Sequence, residues 1–257
     1  MAELSGVGVG GGSSALVRGR AYWSFTLYPA AGEGGGCFQP SLRRPPVGGG
    51  APDVERSRLE AGRRARTKLR RYCAANRLNR FGTLTYAGAG CFDHQELNRD
   101  VAGFFKGLRR ELGRKPLPYA WAPEWHPGGH GLHVHFAVGR YVGHGLIRDV
   151  WGRGRIHIKL IGDLPVGSGA LEEARVSARY LAKYVSKNVD DERVPRRHRY
   201  EVAQGFQPEP VRFKGRSDEE AIALACERMG GEPAVVWRSS QQNGWAGSPA
   251  YWCAWTD

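Results

Sequence analysis

The sequence predicts an α+β fold, in which a central antiparallel sheet is flanked by helices. Segments with apolar residues at every second position indicate strands, and longer segments with apolar residues three and four positions apart indicate amphipathic helices. Between residues 81 and 189 these patterns come in the order strand, helix, hairpin, helix, strand, helix. A hairpin pairs its strands antiparallel, and helices separate the remaining strands, so this order is typical of an α+β layer.

The individual elements follow from the same patterns and from the residues that end them. The predicted strands are residues 21–28, 81–86, 119–126, 131–139 and 155–161. The predicted helices are residues 54–76, 94–112, 145–151, 171–189 and 217–229. The third and fourth strands are joined by a turn with Pro127, Gly128 and Gly129, residues that favour turns, so these two strands form the hairpin.

Composition divides the chain into three regions. Residues 1–53 are rich in Gly and Pro and predict a flexible region with one strand, followed by a linker or long loop at 29–53. Residues 54–190 predict the main domain, which begins with an arginine-rich helix. Residues 191–257 form a C-terminal extension that carries four of the eight tryptophans at its end. These tryptophans either build a small core or offer faces on which unpaired bases stack.

The charge balance indicates a polyanionic partner. Lys and Arg number 38 against 25 Asp and Glu, which gives a formal net charge of +13 at pH 7. Each Lys or Arg that neutralises a phosphate releases a condensed counterion, so such an excess favours nucleic acid. The basic helix at 54–76 is then either a solvated surface helix or a contact to the DNA backbone, and we favour the contact.

The remaining composition points to the cytoplasm. The five cysteines are scattered, odd in number and contain no C-x-x-C pair, which argues against a disulfide framework and a zinc ribbon. No apolar run reaches the roughly 18 residues of a membrane span. The N-terminus lacks the pattern of a signal peptide. We therefore expect a cytoplasmic protein without a membrane segment.

Two histidines flank a valine in the second strand of the hairpin. Side chains alternate between the faces of a strand, so His133 and His135 point the same way, either as a metal pair or as ordinary residues of a polar face. A third ligand comes from Glu124 on the partner strand, or from His126 or His130. We favour the carboxylate, because one hard oxygen with two imidazoles suits Mg²⁺ or Mn²⁺ acting as a Lewis acid.

The helix at 171–189 carries two tyrosines and two lysines on one face. At about 100° per residue, Tyr180, Lys183, Tyr184 and Lys187 fall within roughly 100° of arc. The apolar residues of this helix occupy another sector, so we expect the Tyr/Lys face to lie apart from the core. The alternative is ordinary amphipathic packing, with the lysine stems lying along the tyrosine rings.

This combination has a chemical use. A tyrosine hydroxyl has a pKa near 10 and is a weak nucleophile unaided. A neighbouring ammonium favours the phenolate, and a metal ion on a phosphate offsets the charge that develops during attack. The product is a phosphotyrosine bond that keeps the energy of the phosphodiester for rejoining. Two tyrosines one helical turn apart can take turns as nucleophile.

Three segments occur in the order that one enzyme superfamily uses. They are Phe81–Thr85 (FGTLT), His133–His135 (HVH) and Tyr180–Lys187 (YLAKYVSK). Together they resemble the motifs of the HUH endonucleases, specifically the rolling-circle replication initiators, or Rep proteins, of plasmids, phages and actinobacterial mobile elements. The pair of tyrosines resembles the two-tyrosine branch of that group.

The resemblance implies a ferredoxin-like or RRM-like nicking domain with the histidines on a middle strand and the tyrosine helix beside it. It implies a site-specific single-stranded DNA endonuclease and strand transferase that forms a 5′-phosphotyrosyl intermediate and a free 3′-OH at an origin. Tyr184 matches the first nucleophile and Tyr180 the second, while Lys183 and Lys187 resemble lysines that position the phosphate or the metal-bound water. Glu124 resembles the third ligand.

The resemblance also implies partners. The sequence contains no G-x-x-x-x-G-K-[ST] motif, so strand separation and synthesis require a host helicase and polymerase. Two other classes stay open at this point. One is a transposase or relaxase of the same superfamily, although relaxases usually place the tyrosine motif before the histidines. The other is a non-catalytic basic DNA-binding regulator, which explains the charge but neither the histidine pair nor the tyrosine face.

Overall fold

The structure is a computed structural model that describes residues 17–18, 20–43, 54–160, 169–187 and 200–256. The strands are β1 (Val17–Arg18), β2 (Tyr22–Tyr28), β3 (Glu33–Gln39), β4 (Leu42–Arg43), β5 (Arg80–Leu84), β6 (Tyr119–Trp125), β7 (Leu132–Val138), β8 (Ile156–Leu160), β9 (Glu201–Val202), β10 (Val211–Gly215), β11 (Val235–Arg238) and β12 (Ala250–Ala254). The α-helices are α1 (Val54–Ala75), α2 (His94–Glu111), α3 (His144–Trp151), α4 (Gly169–Lys187) and α5 (Asp218–Met229). Each predicted strand and helix is present among them.

The predicted α+β class is confirmed. Five strands in the order β8-β5-β7-β6-β9 form the central sheet, and all its pairings are antiparallel. Helices α2 and α3 pack on one face of this sheet, and α1 and α4 pack on the other. The central sheet is therefore covered by helices on both sides, with β7 in the middle.

The face towards α2 and α3 holds the larger core. The apolar positions of α2 that recur at helical spacing are all buried, and its N-terminus is capped by Asp93, which accepts a hydrogen bond from the Gln95 N–H at 2.8 Å. From the sheet, Val134 and Phe136 point into this core. The alternation of β7 therefore sends Val134 and Phe136 to one side and the two histidines to the other.

The opposite face of the central sheet is lined by small residues. Ala120, Ala122 and Ala137 are buried there against α1 and α4. Small side chains let these helices approach the sheet closely, which brings α4 near β7. The sparse apolar stripe predicted for α1 is right at Leu69, which is fully buried, and wrong at Leu59, which is 55% exposed.

A second antiparallel sheet corrects the prediction of a linker at residues 29–53. The strands β10-β2-β3-β12-β11 form this second sheet, and β3 lies at its centre within the segment predicted as a loop. The glycines of β3 reflect close packing: a Cβ on Gly34 would overlap the Phe25 ring, and one on Gly36 would overlap the Ser24 carbonyl. The part of the predicted linker at 44–53 lies outside the described residues.

The second sheet is built from both ends of the chain. Its strands β2 and β3 come from the predicted N-terminal region, and β10, β11 and β12 come from the predicted C-terminal extension. Helix α5 covers one of its faces. Strand β9 lies beyond the predicted domain end at residue 190, yet it pairs with β6 and extends the central sheet.

Buried polar groups connect the two sheets. The carboxylate of Glu33 in β3 is 2% exposed and accepts hydrogen bonds from Arg70 at 2.9 Å and Arg71 at 2.8 Å, both in α1. Arg175 in α4 donates to the backbone carbonyls of Gly32 and Trp255, each at 2.9 Å. Two of the predicted DNA-contacting arginines of α1 therefore bind a carboxylate of the second sheet. None of the described helices is long and apolar enough to cross a membrane.

Candidate active site

His133 and His135 lie on the α4 side of β7, next to each other on one face as the alternation predicts. His135 is 6% exposed, and both of its ring nitrogens have partners. Its Nε2 lies 2.7 Å from Glu124 Oε2, and its Nδ1 lies 3.0 Å from Thr83 Oγ1. When the Thr83 hydroxyl donates to Nδ1, the Nε2–H donates to Glu124, so this pair of contacts suits a neutral imidazole.

Glu124 occupies the position that the hairpin predicts. Its Cα is paired with that of His133 in the β6–β7 ladder, and its side chain reaches diagonally to His135. The carboxylate is largely buried, with 15% of the side chain exposed. The hairpin thus brings one carboxylate and two imidazoles onto the same face.

The other two candidate ligands lie at the turn of the hairpin. The ring centre of His126 is 4.5 Å from that of His133 and 5.0 Å from that of His130. The His126 Nδ1 accepts a hydrogen bond from the Gly128 N–H at 3.0 Å, so this nitrogen is already used within the turn. Of the three candidate third ligands, Glu124 is the one that contacts His135.

Burial lowers the pKa of His133, and the neighbouring His126 and His135 lower it further. A lowered pKa keeps the imidazole neutral at neutral pH. Neutral imidazole has the free lone pair that a metal ligand needs.

Helix α4 places both tyrosines against the histidine face. Ala178 and Leu181 are fully buried under the helix, which fixes its rotation about its own axis. Tyr184 then stacks on His135, with ring centres 3.7 Å apart and an angle of 14° between the ring planes. The ring of Tyr180 lies 6.1 Å from that of Tyr184.

The expectation that the Tyr/Lys face stands apart from the core is wrong for the tyrosines. Tyr180 and Tyr184 are partly buried and pack against the cluster between α1, α4 and the central sheet. The ring centre of Phe81 lies 5.2 Å from that of Tyr180 and 6.4 Å from that of Tyr184. The face was misjudged because a helix beside a sheet can bury two adjacent sectors, one against the sheet and one against another helix.

The lysines flank Tyr180. The ammonium groups of Lys183 and Lys159 each lie 5.0 Å from the centre of the Tyr180 ring, and Lys183 is exposed. Lys159 lies in β8 and was not predicted as a site residue, because it precedes the tyrosine motif by some twenty positions and has no recognisable spacing to it. The side chain of Lys187 lies outside the described part of the structure.

Burial raises the pKa of Tyr184 to about 12, with further increases from the charge of Glu124 and from Tyr180. The phenol is therefore neutral at neutral pH in the protein alone. The expected help from a lysine does not reach this residue, since Lys183 sits over Tyr180 instead. Activation of Tyr184 has to come from groups that arrive with the substrate or from a bound cation.

Two further residues were missed as members of the site. Thr83 holds the Nδ1 of His135, and Phe81 supports both tyrosine rings. Both belong to the first motif, and the ladder pairs Thr83 directly with His135. The signal was in the sequence, because an F-x-T strand next to an H-x-H strand presents the Phe and Thr to the histidine face.

The donor chemistry fits a hard divalent cation, with two imidazoles and one carboxylate facing α4. Among the described residues, however, no three His, Cys, Asp or Glu side chains are arranged to hold a metal ion. The Glu124 carboxylate is instead bonded to the His135 Nε2. Ligation by all three residues requires this hydrogen bond to open, because Nε2 cannot donate a proton and bind a cation together.

Comparison with known families agrees with the class of protein that this site defines. Residues 79–189 match a family model for replication-associated proteins of the ORF2 type. The matched region is less than half of the 257 residues, but it begins just before β5, ends after α4 and contains every predicted site residue. Neither the curated proteins nor the solved structures provide a match.

Proposed function

We propose that this protein is a replication initiator that nicks one DNA strand at an origin and forms a covalent 5′-phosphotyrosyl intermediate. The match at 79–189, the order of the three motifs and the net charge of +13 support this proposal. The free 3′-OH left at the nick would prime rolling-circle synthesis by a host polymerase, with a host helicase separating the strands.

The observation that carries the proposal is the stacking of Tyr184 on His135. A nucleophile and a metal ligand that belong to one reaction must lie within a few ångströms of the same phosphate. The ring centres of these residues are 3.7 Å apart, and Glu124 binds the same imidazole, although the tyrosine lies almost fifty residues further along the chain. A purely structural core gains nothing from this group of polar side chains.

In the proposed reaction the Tyr184 oxygen attacks the phosphorus of the scissile phosphodiester. A bond forms between that oxygen and phosphorus, the bond from phosphorus to the 3′ oxygen breaks, and the 3′ oxygen takes up a proton. The tyrosine proton passes to a neighbouring base, for which the Glu124 carboxylate is the closest described candidate. Stacking on His135 and packing on Phe81 orient the phenol for this attack.

His133, His135 and Glu124 are the residues that would hold Mg²⁺ or Mn²⁺. When bound, the cation supplies Lewis-acid chemistry at a phosphate oxygen. The neutral state of His133 suits this role.

Tyr180 and Lys183 provide the second half of the proposed strand transfer. Tyr180 lies one helical turn from Tyr184 and is flanked by two ammonium groups. These cations attract a phosphate, so Tyr180 can attack while Tyr184 holds the first DNA end. Lys187 extends the same face by one more turn. A transposase or relaxase of the superfamily would use the same residues on other DNA, and a regulator would use none of them.

The test is formation of a covalent adduct with single-stranded DNA. Oligonucleotides that tile both strands of the gene and its flanks are incubated with the protein and Mn²⁺, and adducts are resolved by denaturing electrophoresis. We expect one oligonucleotide to give an adduct. Tyr184→Phe should lower its rate by roughly 10³-fold or more, as for the loss of other covalent nucleophiles, and Tyr180→Phe should leave first cleavage largely intact.

Tyr141→Phe is the matched control, since Tyr141 is 76% exposed and its substitution should leave the adduct unchanged. His135→Ala should abolish the adduct and retain salt-sensitive DNA binding. An adduct that persists in Tyr180→Phe/Tyr184→Phe rules out the tyrosine assignment. Binding without an adduct on every tiled oligonucleotide favours the regulator.

A further inference from the structure

The two faces of the second sheet have different chemistry. The face towards α5 is apolar and buried, with Phe25, Leu27, Tyr251 and Cys253 in its core. We call the opposite side the outer face. Its strand residues are half-buried or exposed, and it carries aromatic rings, hydroxyl groups and cations where the inner face carries aliphatic and aromatic core residues.

One row of residues crosses the outer face from edge to edge. The ladder register pairs neighbours along it in the order Arg212, Thr26, Gly35, Trp252, Trp237. At about 4.8 Å between strands, this row is roughly 19 Å long. A cation stands at one end and two tryptophans at the other, and Gly35 between them has no side chain to obstruct access to Trp252.

A second cation and two more aromatic rings widen this row. The ammonium of Lys214 lies 4.9 Å from the centre of the Tyr22 ring, on the same face as the arginine of the row. The ring of Trp245 is 42% exposed and lies 5.5 Å from that of Trp237 in an edge-to-face arrangement. The C-terminal tryptophans therefore serve both predicted uses, because Trp255 is buried in the core while the others line or flank the outer face.

The charge of the outer face is positive. Both cations that β10 contributes to this face are exposed. The acidic residue on the described strands of this face is Glu33, whose charge is already bound by Arg70 and Arg71. The guanidinium of Arg70 also lies 5.7 Å from the centre of the Trp252 ring. A ligand that covers this face therefore meets cations and flat aromatic surfaces.

We propose that the outer face binds a segment of single-stranded DNA, with phosphates at Arg212 and Lys214 and bases stacked on Trp237 and Trp252. Aromatic side chains on an open sheet and a positive margin are the two features that bind unpaired nucleotides. Duplex DNA does not fit, because its bases are already stacked on each other. The inference rests on the proposed function, in which the strand next to the nick is unpaired, and it gives the second sheet a role in holding that strand.

The test is a salt titration of binding to a fluorescein-labelled dT20 oligonucleotide, followed by anisotropy. The full chain is used with Tyr180→Phe/Tyr184→Phe, so that no strand transfer interferes. Arg212→Ala/Lys214→Ala should weaken binding and lower the slope of log K against log salt by about 1.4, the value for two phosphate contacts to a single strand. Trp237→Ala should weaken binding between about fivefold and 150-fold without changing the slope.

Arg216→Ala/Arg228→Ala is the charge-matched control, because both arginines are exposed on the α5 side of the same sheet. It should leave affinity and slope unchanged. An equal loss in this control, or an unchanged slope in Arg212→Ala/Lys214→Ala, overturns the proposal. So does an equal loss of affinity for a 20-base-pair duplex, which would indicate a duplex site.

The adduct assay on the same proteins separates the two proposals. Normal adduct formation with Tyr184 together with an unchanged dT20 slope in Arg212→Ala/Lys214→Ala rejects the outer-face site alone. A changed slope with no adduct on any oligonucleotide rejects nicking and leaves a single-strand binding surface.

Discussion

The two sheets have the same number of strands and the same antiparallel pairing, but they differ in how many faces are covered. Helices cover both faces of the central sheet, so the His135 side chain is held between the sheet and Tyr184 with little freedom. The second sheet has a helix on one face only, and its outer face keeps cations and aromatic rings within reach of solvent. Burial on both sides suits a site that needs fixed geometry, and burial on one side suits a binding surface.

The sheets also differ in where their strands come from. The strands of the central sheet, apart from the short β9, lie within residues 80–160, whereas those of the second sheet come from residues 22–39 and 211–254. The buried contacts of Glu33 and Arg175 join the second sheet to α1 and α4. We therefore expect the two sheets to unfold together, and the three predictions that follow test this.

The largest effect is expected for Trp151→Ala, in the core of the central sheet. Trp151 is fully buried, its ring packs on Tyr86 and Phe104, and its indole N–H donates to the Thr85 carbonyl at 2.9 Å. Removing this ring should lower the free energy of unfolding by about 3–5 kcal/mol, measured by urea denaturation. Trp245→Ala is the control, because Trp245 is 42% exposed and should cost about 0.5 kcal/mol or less.

Hydrogen exchange shows where that loss is felt. If the sheets form one cooperative unit, Trp151→Ala speeds exchange in β12 as well as in β7. Faster exchange confined to the central sheet would show that the second sheet unfolds separately.

A smaller effect is expected for Glu33→Gln, at the connection between the sheets. The amide keeps the shape of the carboxylate but removes the charge that Arg70 and Arg71 bind. Because these arginine side chains are 36% and 21% exposed, solvent screens part of the interaction, and we expect a loss of about 1–3 kcal/mol in urea denaturation. Glu111→Gln removes an exposed partner of Arg110 and should cost about 0.5 kcal/mol. Equal losses for both substitutions would contradict a structural role for Glu33.

The same comparison explains what the sequence could predict. The central sheet was predictable because its strands and helices alternate within one continuous segment, so local periodicity reports the face that each residue occupies. The H-x-H strand and the tyrosine helix were found from spacing alone. The stacking of Tyr184 on His135 was not, because it depends on the rotation of α4, which Ala178 and Leu181 set through long-range packing.

The second sheet escaped prediction for a physical reason at β3. Its sequence EGGGCFQ has the composition of a loop, since the glycines leave no apolar alternation to detect. The glycines are needed because Phe25 and the Ser24 carbonyl occupy the space of their side chains, and these partners lie on β2. The other neighbour of β3 is β12, more than two hundred residues away, and no local pattern indicates that pairing.

The smallest predicted effect compares one helix from each sheet. Asp93 caps α2 by accepting from the Gln95 N–H at 2.8 Å, and Ser217 caps α5 by accepting from the Glu220 N–H at 3.1 Å. Asp93→Ala and Ser217→Ala should each lower the free energy of unfolding by about 1 kcal/mol, while Asp93→Asn and Ser217→Thr keep an acceptor and should retain most of it. Helix α2 is packed under the covered sheet, and α5 is the single layer on the second sheet. Equal losses in one unfolding transition would place both helices in one cooperative unit. A second transition that appears in Ser217→Ala alone would show that the one-sided sheet can open while the tyrosine and histidine face stays folded.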